Sequence, residues 1–349
     1  MKEKIEKLLK RVQNPLTKKM IVDEKLIVSI SGDTKPVVEI KSGGDEKWRQ
    51  GIESQLRIMG NRDGIKTDDY IIKWSDIKPE VAKQGPVSRP QLSIPGVKHV
   101  IAVGSGKGGV GKSTVSVNIA STLQQMGHKV GIMDADIYGP SVGKMFGIDG
   151  RQQMNVANNH ITPIEKYGLK VMSFSFLIAE GEPVIWRGPM LGKAMQQFLY
   201  DTDWGELDYL IIDLPPGTGD TQLSLAQLVQ TDGAVIVTTP QTVALLDAGR
   251  AVAMFEKVNI PILGVVENMS EFICTHCGKP NHIFAKGGGS RLAASSKSIL
   301  LGQVPLIEDA MSAAEKGEIP VYQNKNKKLE PLVDAFTHIV QNLASVLTR

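Results

Sequence analysis

The sequence has 349 residues, of which 42% are hydrophobic and 22% are charged. This length and composition exclude a disordered chain and favour two domains with substantial cores. No run approaches the roughly 20 consecutive apolar residues that a membrane span needs. The first residues, Met-Lys-Glu-Lys-Ile-Glu-Lys, lack the apolar core of a signal peptide. We therefore expect a cytoplasmic protein that makes no use of a membrane.

Positive charge is concentrated in the first part of the chain. Residues 1–98 contain 20 Lys and Arg against 14 Asp and Glu, whereas residues 99–349 contain 20 against 23. Solvated lysines on a small domain explain this excess, although a surface that faces nucleic acid would look similar. Because no helix-turn-helix or aromatic RNA-binding pattern is present, DNA is a candidate partner that no motif supports.

The elements that come first along the chain predict a small α+β domain, residues 1–83. A segment containing Pro86, Pro90 and Pro95 then predicts an extended linker, residues 84–97. Within the small domain, helical spacing covers residues 5–12 and 48–59, and strand patterns cover residues 26–31, 37–40 and 70–74.

A second domain, residues 98–349, is predicted to be of the α/β class. Short apolar strands recur along it, and helical patterns lie between most of them. This alternation implies right-handed βαβ crossovers and a mainly parallel sheet covered by helices on both faces. The predicted strands are residues 99–104, 129–133, 169–173, 209–213, 234–239, 262–266 and 300–304.

The most informative motif lies at residues 104–114, which read Gly-Ser-Gly-Lys-Gly-Gly-Val-Gly-Lys-Ser-Thr. This is the full G-x-x-x-x-G-K-S pattern of a P-loop, preceded by a strand pattern and followed by a helical one. Its backbone N–H groups can surround phosphates, Lys112 can meet the β- and γ-phosphates, and the Ser113 hydroxyl can bind Mg²⁺. The residues expected to bind nucleotide are Gly106, Lys107, Gly108, Gly109, Val110, Gly111, Lys112, Ser113 and Thr114.

Carboxylates follow two of the later strand patterns. Asp134 and Asp136 end the first of them, and Asp213 ends the second. Since parallel strands deliver their C-terminal ends to one edge of a sheet, these acids are expected beside the phosphates. Asp213 is predicted to hold Mg²⁺ through water, and Gly217 is predicted to be the hinge of a switch loop.

The only two cysteines of the chain, Cys274 and Cys277, form a C-x-x-C motif. It permits a redox pair, half of a zinc site or half of an iron–sulfur site, and no thioredoxin-like setting supports the first. Zinc and [4Fe–4S] sites prefer four ligands, which a two-fold dimer would supply with one pair from each chain. His276 and His282 are poorly spaced as further zinc ligands and are expected to be surface residues, and an unliganded cysteine pair stays an alternative.

Lys107 makes the P-loop resemble the deviant Walker A variant of the family that contains MinD, ParA and the nitrogenase iron protein. In that family the early lysine reaches the nucleotide of a second protomer, so the resemblance implies an ATP-dependent homodimer. The same resemblance gives Asp136 the catalytic task of orienting or activating the attacking water, together with Lys107 and Lys112. It makes Asp134 a structural partner of the loop.

Further strings narrow the resemblance to the Mrp/ApbC branch, the iron–sulfur cluster carrier ATPases. They are S-G-K-G-G-V-G-K-S-T, D-A-D-I-Y-G-P-S, W-R-G-P-M at residues 186–190, D-L-P-P-G-T-G-D, and E-N-M-S followed by C-x-x-C. This resemblance covers residues 97–325. It implies that Cys274 and Cys277 of two protomers hold a [4Fe–4S] cluster, that ATP hydrolysis accompanies cluster transfer to apo-proteins, and that Asn268 contacts adenine.

The small N-terminal domain loosely resembles the metal–sulfur assembly domain that is often fused to related ATPases. It contains no cysteine, so docking or regulation is favoured over cluster handling.

Three alternatives to the carrier belong to other classes. The first is an ATP-dependent transcriptional regulator that uses the basic N-terminal domain. The second is a MinD-like membrane switch that uses the amphipathic C-terminal stretch, although only Lys327, Lys328 and Arg349 flank it and its apolar face is expected to pack on the sheet. The third is a dimeric ATPase stapled by zinc instead of a cluster.

Overall fold

The computed structural model contains two compact units, Met1–Arg89 and Pro90–Arg349. The predicted domain end at residue 83, most of the predicted linker, Trp186, Arg187 and residues 218–220 lie outside the part that the structure describes, so the predicted domain bounds stay a prediction. The described residues are 1–15, 18–42, 46–76, 93–137, 139–148, 150, 152, 156–157, 160–177, 188–217, 228, 230–323 and 326–348.

The first unit is a three-stranded sheet with two helices, as its sequence pattern predicts. Its central strand, β2, is antiparallel to β1 and parallel to β3. The helices bury Ile5, Leu8, Ile52 and Leu56 together with Val38 and Ile40 of the sheet. The elements are α1 (Lys2–Leu9), β1 (Ile27–Ser31), β2 (Val37–Ser42), α2 (Glu46–Arg62) and β3 (Ile71–Asp76).

Described strands lie at all seven predicted positions of the second unit, with helices between most of them, and four further strands of two or three residues were not predicted. Its described strands are β4 (Val97–Ser105), β5 (Val130–Asp134), β6 (Val156–Ala157), β7 (His160–Ile161), β8 (Ile164–Lys166), β9 (Leu169–Ser173), β10 (Leu207–Asp213), β11 (Gly233–Thr238), β12 (Ile262–Ile273), β13 (Pro280–Asn281) and β14 (Leu300–Leu306). Its described helices are α3 (Lys112–Gln125), α4 (Val142–Met145), α5 (Gly188–Tyr200), α6 (Thr242–Lys257), α7 (Gly288–Ser295), α8 (Glu308–Glu315) and α9 (Glu330–Leu347).

One large sheet organises this unit, in the order β13-β12-β11-β4-β10-β5-β9-β8, with β14 also paired to β12. Pairing is parallel from β9 to β12 and β14, and antiparallel where β8 and β13 join. Strand β10 lies between β4 and β5, although it follows both by many residues. This crossover brings together the C-terminal ends of β4, which leads into the P-loop, and of β5 and β10, which end in aspartates.

Both faces of this sheet are buried under helices, which confirms the predicted α/β fold. Successive residues of β4 point to opposite cores: Ile101 and Val103 pack with α3, α8 and α9, whereas Val100 and Ala102 pack with α5, α6 and α7. Strands buried on both sides need continuous apolar runs, and this explains their lack of polar alternation.

The amphipathic C-terminal stretch forms α9 and supplies core side chains. Its apolar face, Leu332, Phe336, Ile339, Val340 and Leu343, is buried. At Gly302 of β14 an added Cβ would lie 2.6 Å from Ile339 Cγ1, so the helix and the sheet are in close contact there. The predicted packing of this face on the sheet is confirmed. Among the described residues, none of the helices is both long and apolar enough to span a bilayer.

Candidate functional site

The P-loop connects β4 to the start of α3, as expected. Gly109 and Gly111 have φ values of 78° and 79°, in the left-handed region that favours glycine. Gly106 packs against the backbone of α6, because an added Cβ there would lie 2.0 Å from the carbonyl carbon of Asp247. These glycines allow the loop to turn back tightly above the sheet.

A buried ion pair lies beneath the loop. Lys112 Nζ is 2.7 Å from Asp213 Oδ2, and their side chains are only 6% and 0% exposed. The Ser113 hydroxyl donates to the same oxygen at 2.6 Å, and the Ser116 hydroxyl donates to Oδ1 at 2.6 Å. Donors from the first two turns of α3 thus compensate a carboxylate that burial would otherwise strongly disfavour.

The sequence reasoning did not identify Ser116. Ser113 and Ser116 are three residues apart on α3 and therefore share a helix face. This spacing was a usable signal once a helix was assumed after the P-loop. It would have predicted two hydroxyls on one side, although not their common partner Asp213.

A second buried carboxylate, Asp134, is the register partner of Asp213 on the neighbouring strand β5. It accepts hydrogen bonds from the N–H of Asp136 at 3.1 Å, the N–H of Val142 at 3.1 Å and the Ser173 hydroxyl at 3.0 Å. Burial, followed by the negative charge of Asp213, raises the pKa of Asp134 to about 7. These contacts anchor the segment after β5 instead of presenting Asp134 to a ligand.

A pocket of about 200 Å³ opens above the ion pair. Lys107 is half-buried in its wall, and its amino group makes no ion pair within the described residues. Asp136 also lines the pocket, and its Oδ1 accepts the N–H of Gly139 at 3.2 Å. Phosphate groups would here meet backbone N–H donors and two lysines. The lining residues include Lys107, Gly108, Gly109, Gly111, Lys112, Ser113, Thr114, Asp136, Ser141, Met145 and Pro216.

Asn268 lies at the side of the loop, on β12. Its Nδ2 donates to the carbonyl oxygen of Val110 at 2.9 Å. The structure therefore places all predicted nucleotide-binding residues in or against one loop. Gly217, with a φ of 101°, donates its N–H to Ser105 O at 3.0 Å on the other side. The rest of the predicted switch loop, residues 218–220, lies outside the described residues.

The cysteine pair occupies the turn of a hairpin formed by β12 and β13. Phe272 pairs with Asn281 and Ile273 with Pro280, and the turn is closed by Cys274 O accepting the Gly278 N–H at 2.8 Å. Both thiols are free; Cys274 is half-buried and Cys277 is exposed. The pair lies at the exposed end of this hairpin, because β12 continues past its P-loop contact at Asn268 to Ile273.

The backbone of this turn favours a thiolate. Hydrogen bonds from the N–H of Cys277, then from the N–H of His276, and from the Cys277 thiol lower the pKa of Cys274. Thiolates are the form that binds soft metals. The two sulfurs could thus bind a metal ion or the iron of a cluster, and the N–H groups of the turn would stabilise the thiolate. Both cysteines of one chain would then lie on the same side of the metal.

Neither histidine near the cysteines completes a mononuclear site. His282 Nδ1 is 3.3 Å from Ser270 O, and its Nε2 is 3.8 Å from Glu271 Oε2. His276 is exposed in the turn. Throughout the described part of the chain, no group of three or more His, Cys, Asp or Glu side chains is arranged to hold a metal ion.

Comparisons with known proteins agree with this geometry. Residues 96–344 match the ParA family model described as NUBPL iron-transfer P-loop NTPase. An iron-sulfur cluster carrier protein of Aquifex aeolicus is 43% identical over 333 residues, which cover 90% of this chain and 91% of that protein. One of Haemophilus influenzae is 41% identical over 348 residues, covering 98% and 91%.

A solved structure gives the same result for the fold. The nucleotide-binding protein of Archaeoglobus fulgidus in complex with ADP has a TM-score of 0.58 and 37% identity, and the match covers 68% of this chain and 92% of that one. The resemblance drawn from the motifs is confirmed. The chain belongs to the ParA family, as a P-loop NTPase of the NUBPL iron-transfer type.

Proposed function

We propose that this protein is an ATP-hydrolysing iron–sulfur cluster carrier, which holds a [4Fe–4S] cluster between two protomers and transfers it to apo-proteins. The cysteine hairpin carries this proposal. It presents two thiols at an exposed tip, one of them with a lowered pKa, and no further ligand set is formed within the described part of one chain. Relatives of this chain bear the name of iron-sulfur cluster carrier protein.

Two protomers would complete the site. A [4Fe–4S] cluster takes four thiolates, whereas one chain offers Cys274 and Cys277. A two-fold axis through the cluster supplies the second pair from the same surface of the partner. An exposed position suits this arrangement and release to an acceptor, because the partner's thiols and the acceptor's ligands must both reach the cluster.

In the nucleotide pocket, each residue of this chain would have a separate role. Lys112 would leave Asp213 to contact the β- and γ-phosphates, and Ser113 with Asp213 would hold Mg²⁺, directly and through water respectively. Asp136, which faces the pocket, would orient the attacking water. Lys107, which has no ion pair within the described residues, would reach the nucleotide of the partner, and Asn268 would contact adenine.

The proposal is tested by anaerobic reconstitution with iron and sulfide. We expect a brown dimer with equal amounts of iron and sulfide, about four of each per two chains, that restores an apo-acceptor. Zinc retained in place of iron, or iron bound to a variant without both cysteines, would contradict it. The wild-type chain treated with iron but no sulfide is the matched control for adventitious metal.

A further inference from the structure

Strand β12 carries both a P-loop contact and the cysteine hairpin. Asn268, within the strand, donates to Val110 O in the P-loop at 2.9 Å. Cys274 directly follows the last residue of the same strand, Ile273. The same strand therefore extends from the P-loop contact to the thiols.

The pairing of β12 with β14 is interrupted between these two points. Asn268 pairs with Val304, and Phe272 pairs with Leu306. Between these two pairs, β12 has three residues and β14 has only one. This excess forms a bulge, and we call residues 268–272 the β12 bulge. Bulges redirect a strand and often lie beside functional sites.

Met269, in this bulge, has a left-handed backbone with a φ of 54°. A residue with a side chain is disfavoured in this conformation. Its neighbourhood is the P-loop: a Cβ added to Gly111 would lie 2.2 Å from Asn268 Nδ2 and 3.9 Å from Met269 Cε. Consecutive residues of the bulge therefore pack over one glycine of the loop.

The next residue, Ser270, connects the bulge to β14 and to the segment that follows β13. The Ser270 hydroxyl donates to Val304 O on β14 at 3.2 Å. Its carbonyl oxygen lies 3.3 Å from Nδ1 of His282, which follows β13. A change in the backbone conformation at Met269 would therefore move both the strand that leads into the cysteine hairpin, β12, and the segment that follows its second strand, β13.

We propose that the β12 bulge couples the nucleotide state of the P-loop to the conformation of the hairpin that bears Cys274 and Cys277, with Met269 as a positioning residue. When nucleotide reorganises the P-loop, the hydrogen bond between Asn268 and Val110 changes. Met269 then either keeps its left-handed backbone conformation or leaves it. The two states differ in strain, which gives the nucleotide the differential interaction that coupling needs. The inference rests on the proposed nucleotide site and is independent of which metal the thiols bind.

The coupling is tested on the metal-free protein by the rate at which iodoacetamide alkylates its cysteines. These are the only two in the chain, so the readout reports the hairpin alone. Rates are compared with and without a saturating non-hydrolysable ATP analogue, at a dilution where light scattering shows a monomer. In the wild type we expect a change of about 5- to 30-fold, the equilibrium factor for the cost of one left-handed residue.

In Met269→Gly the two rates should become nearly equal, because glycine adopts positive φ without that cost. Lys297→Gly is the matched control: Lys297 also has a left-handed φ, 51°, but is exposed before β14, so the wild-type ratio should persist. A wild-type ratio of one, or an unchanged ratio in Met269→Gly, would overturn the coupling. Failure to take up iron would overturn the carrier function and leave this measurement intact.

Discussion

The nucleotide pocket and the cysteine hairpin satisfy their polar groups in opposite ways. In the pocket, Asp213 is fully buried and receives Lys112, Ser113 and Ser116 from its own chain. At the hairpin, Cys277 is exposed, and the described part of the chain supplies no third metal ligand. The buried carboxylate has its hydrogen-bond partners within one protomer, whereas the proposed cluster site would be completed only by a second protomer. A substitution at one site should therefore leave the ligand groups of the other in place, although the β12 bulge is proposed to couple the conformations of the two sites.

The largest effect is expected in the pocket, from Lys112→Ala. It removes the proposed phosphate contact and leaves Asp213 buried without its cation, a loss that costs about 3–5 kcal/mol in comparable buried pairs. ATP turnover should fall by at least about 10²-fold, as measured by phosphate release. Urea unfolding at equal pH separates lost folding from lost catalysis. Wild-type turnover in this variant would contradict the assignment.

At the hairpin, Cys274→Ser should abolish the absorbance of a reconstituted cluster and its transfer to an apo-acceptor. It should leave ATP binding unchanged, because neither cysteine lines the pocket. Isothermal titration with an ATP analogue checks the second part. Thr275→Ser is the matched control, because it changes an exposed residue of the same turn and keeps both thiols, so cluster uptake should persist.

Asp136→Asn distinguishes binding from chemistry inside the pocket. The amide keeps the size of the carboxylate and an oxygen for the Gly139 N–H, so nucleotide affinity should persist. Turnover should fall by about 10²- to 10⁴-fold if Asp136 activates water. Single-turnover measurements with preloaded ATP would show this decrease directly. An equal loss of affinity and turnover would instead assign Asp136 to binding.

Lys107→Gln tests whether the nucleotide pocket is complete within one chain. If Lys107 reaches a partner's nucleotide, the variant should lose about tenfold or more in nucleotide-dependent dimerisation, the value of one charge-assisted hydrogen bond. ATP affinity of the monomer should change little. Light scattering with a non-hydrolysable analogue gives the first quantity. Equal dimerisation and equal turnover in the two proteins would exclude the trans role.

The last prediction concerns the pH dependence of stability. The folded protein keeps a proton on Asp134 up to about pH 7, whereas the unfolded chain releases it near the ordinary pKa of 3.8. The stabilisation from this group is therefore complete below about pH 4 and is lost as pH rises through about 7. Urea unfolding between pH 5 and 8 should show this decline in the wild type and a flatter profile in Asp134→Asn. Parallel profiles would show that Asp134 is ionised throughout.

Much of the fold and the motifs of the site could be predicted from local patterns. The helices and strands of the first unit and the parallel strands of the second follow hydrophobic periodicity, which local backbone geometry imposes. The P-loop and the C-x-x-C motif are each formed by a short stretch of consecutive residues, so their chemistry can be predicted from the sequence alone. The face of α9 that packs on the sheet was likewise visible as a stripe at helical spacing.

Contacts between distant segments were beyond such patterns. Ser116 shares Asp213 with Lys112 because β10 inserts between β4 and β5, a neighbour relation that no local window contains. The same insertion buries Asp134 beside Asp213, and burial, followed by the negative charge of Asp213, raises the pKa of Asp134 to about 7. The roles of the individual site residues stay predictions, since proximity alone does not establish them.

By itself, the sequence determined the P-loop, the α/β alternation and the pair of thiols, because each depends on residue type and short spacing. Only the tertiary structure decided how these parts are connected. The bulge at Met269 lies where β12 pairs with β14, contacts the P-loop through Asn268 and continues to Cys274. Such a compromise arises from simultaneous packing against several segments, and no single segment encodes it.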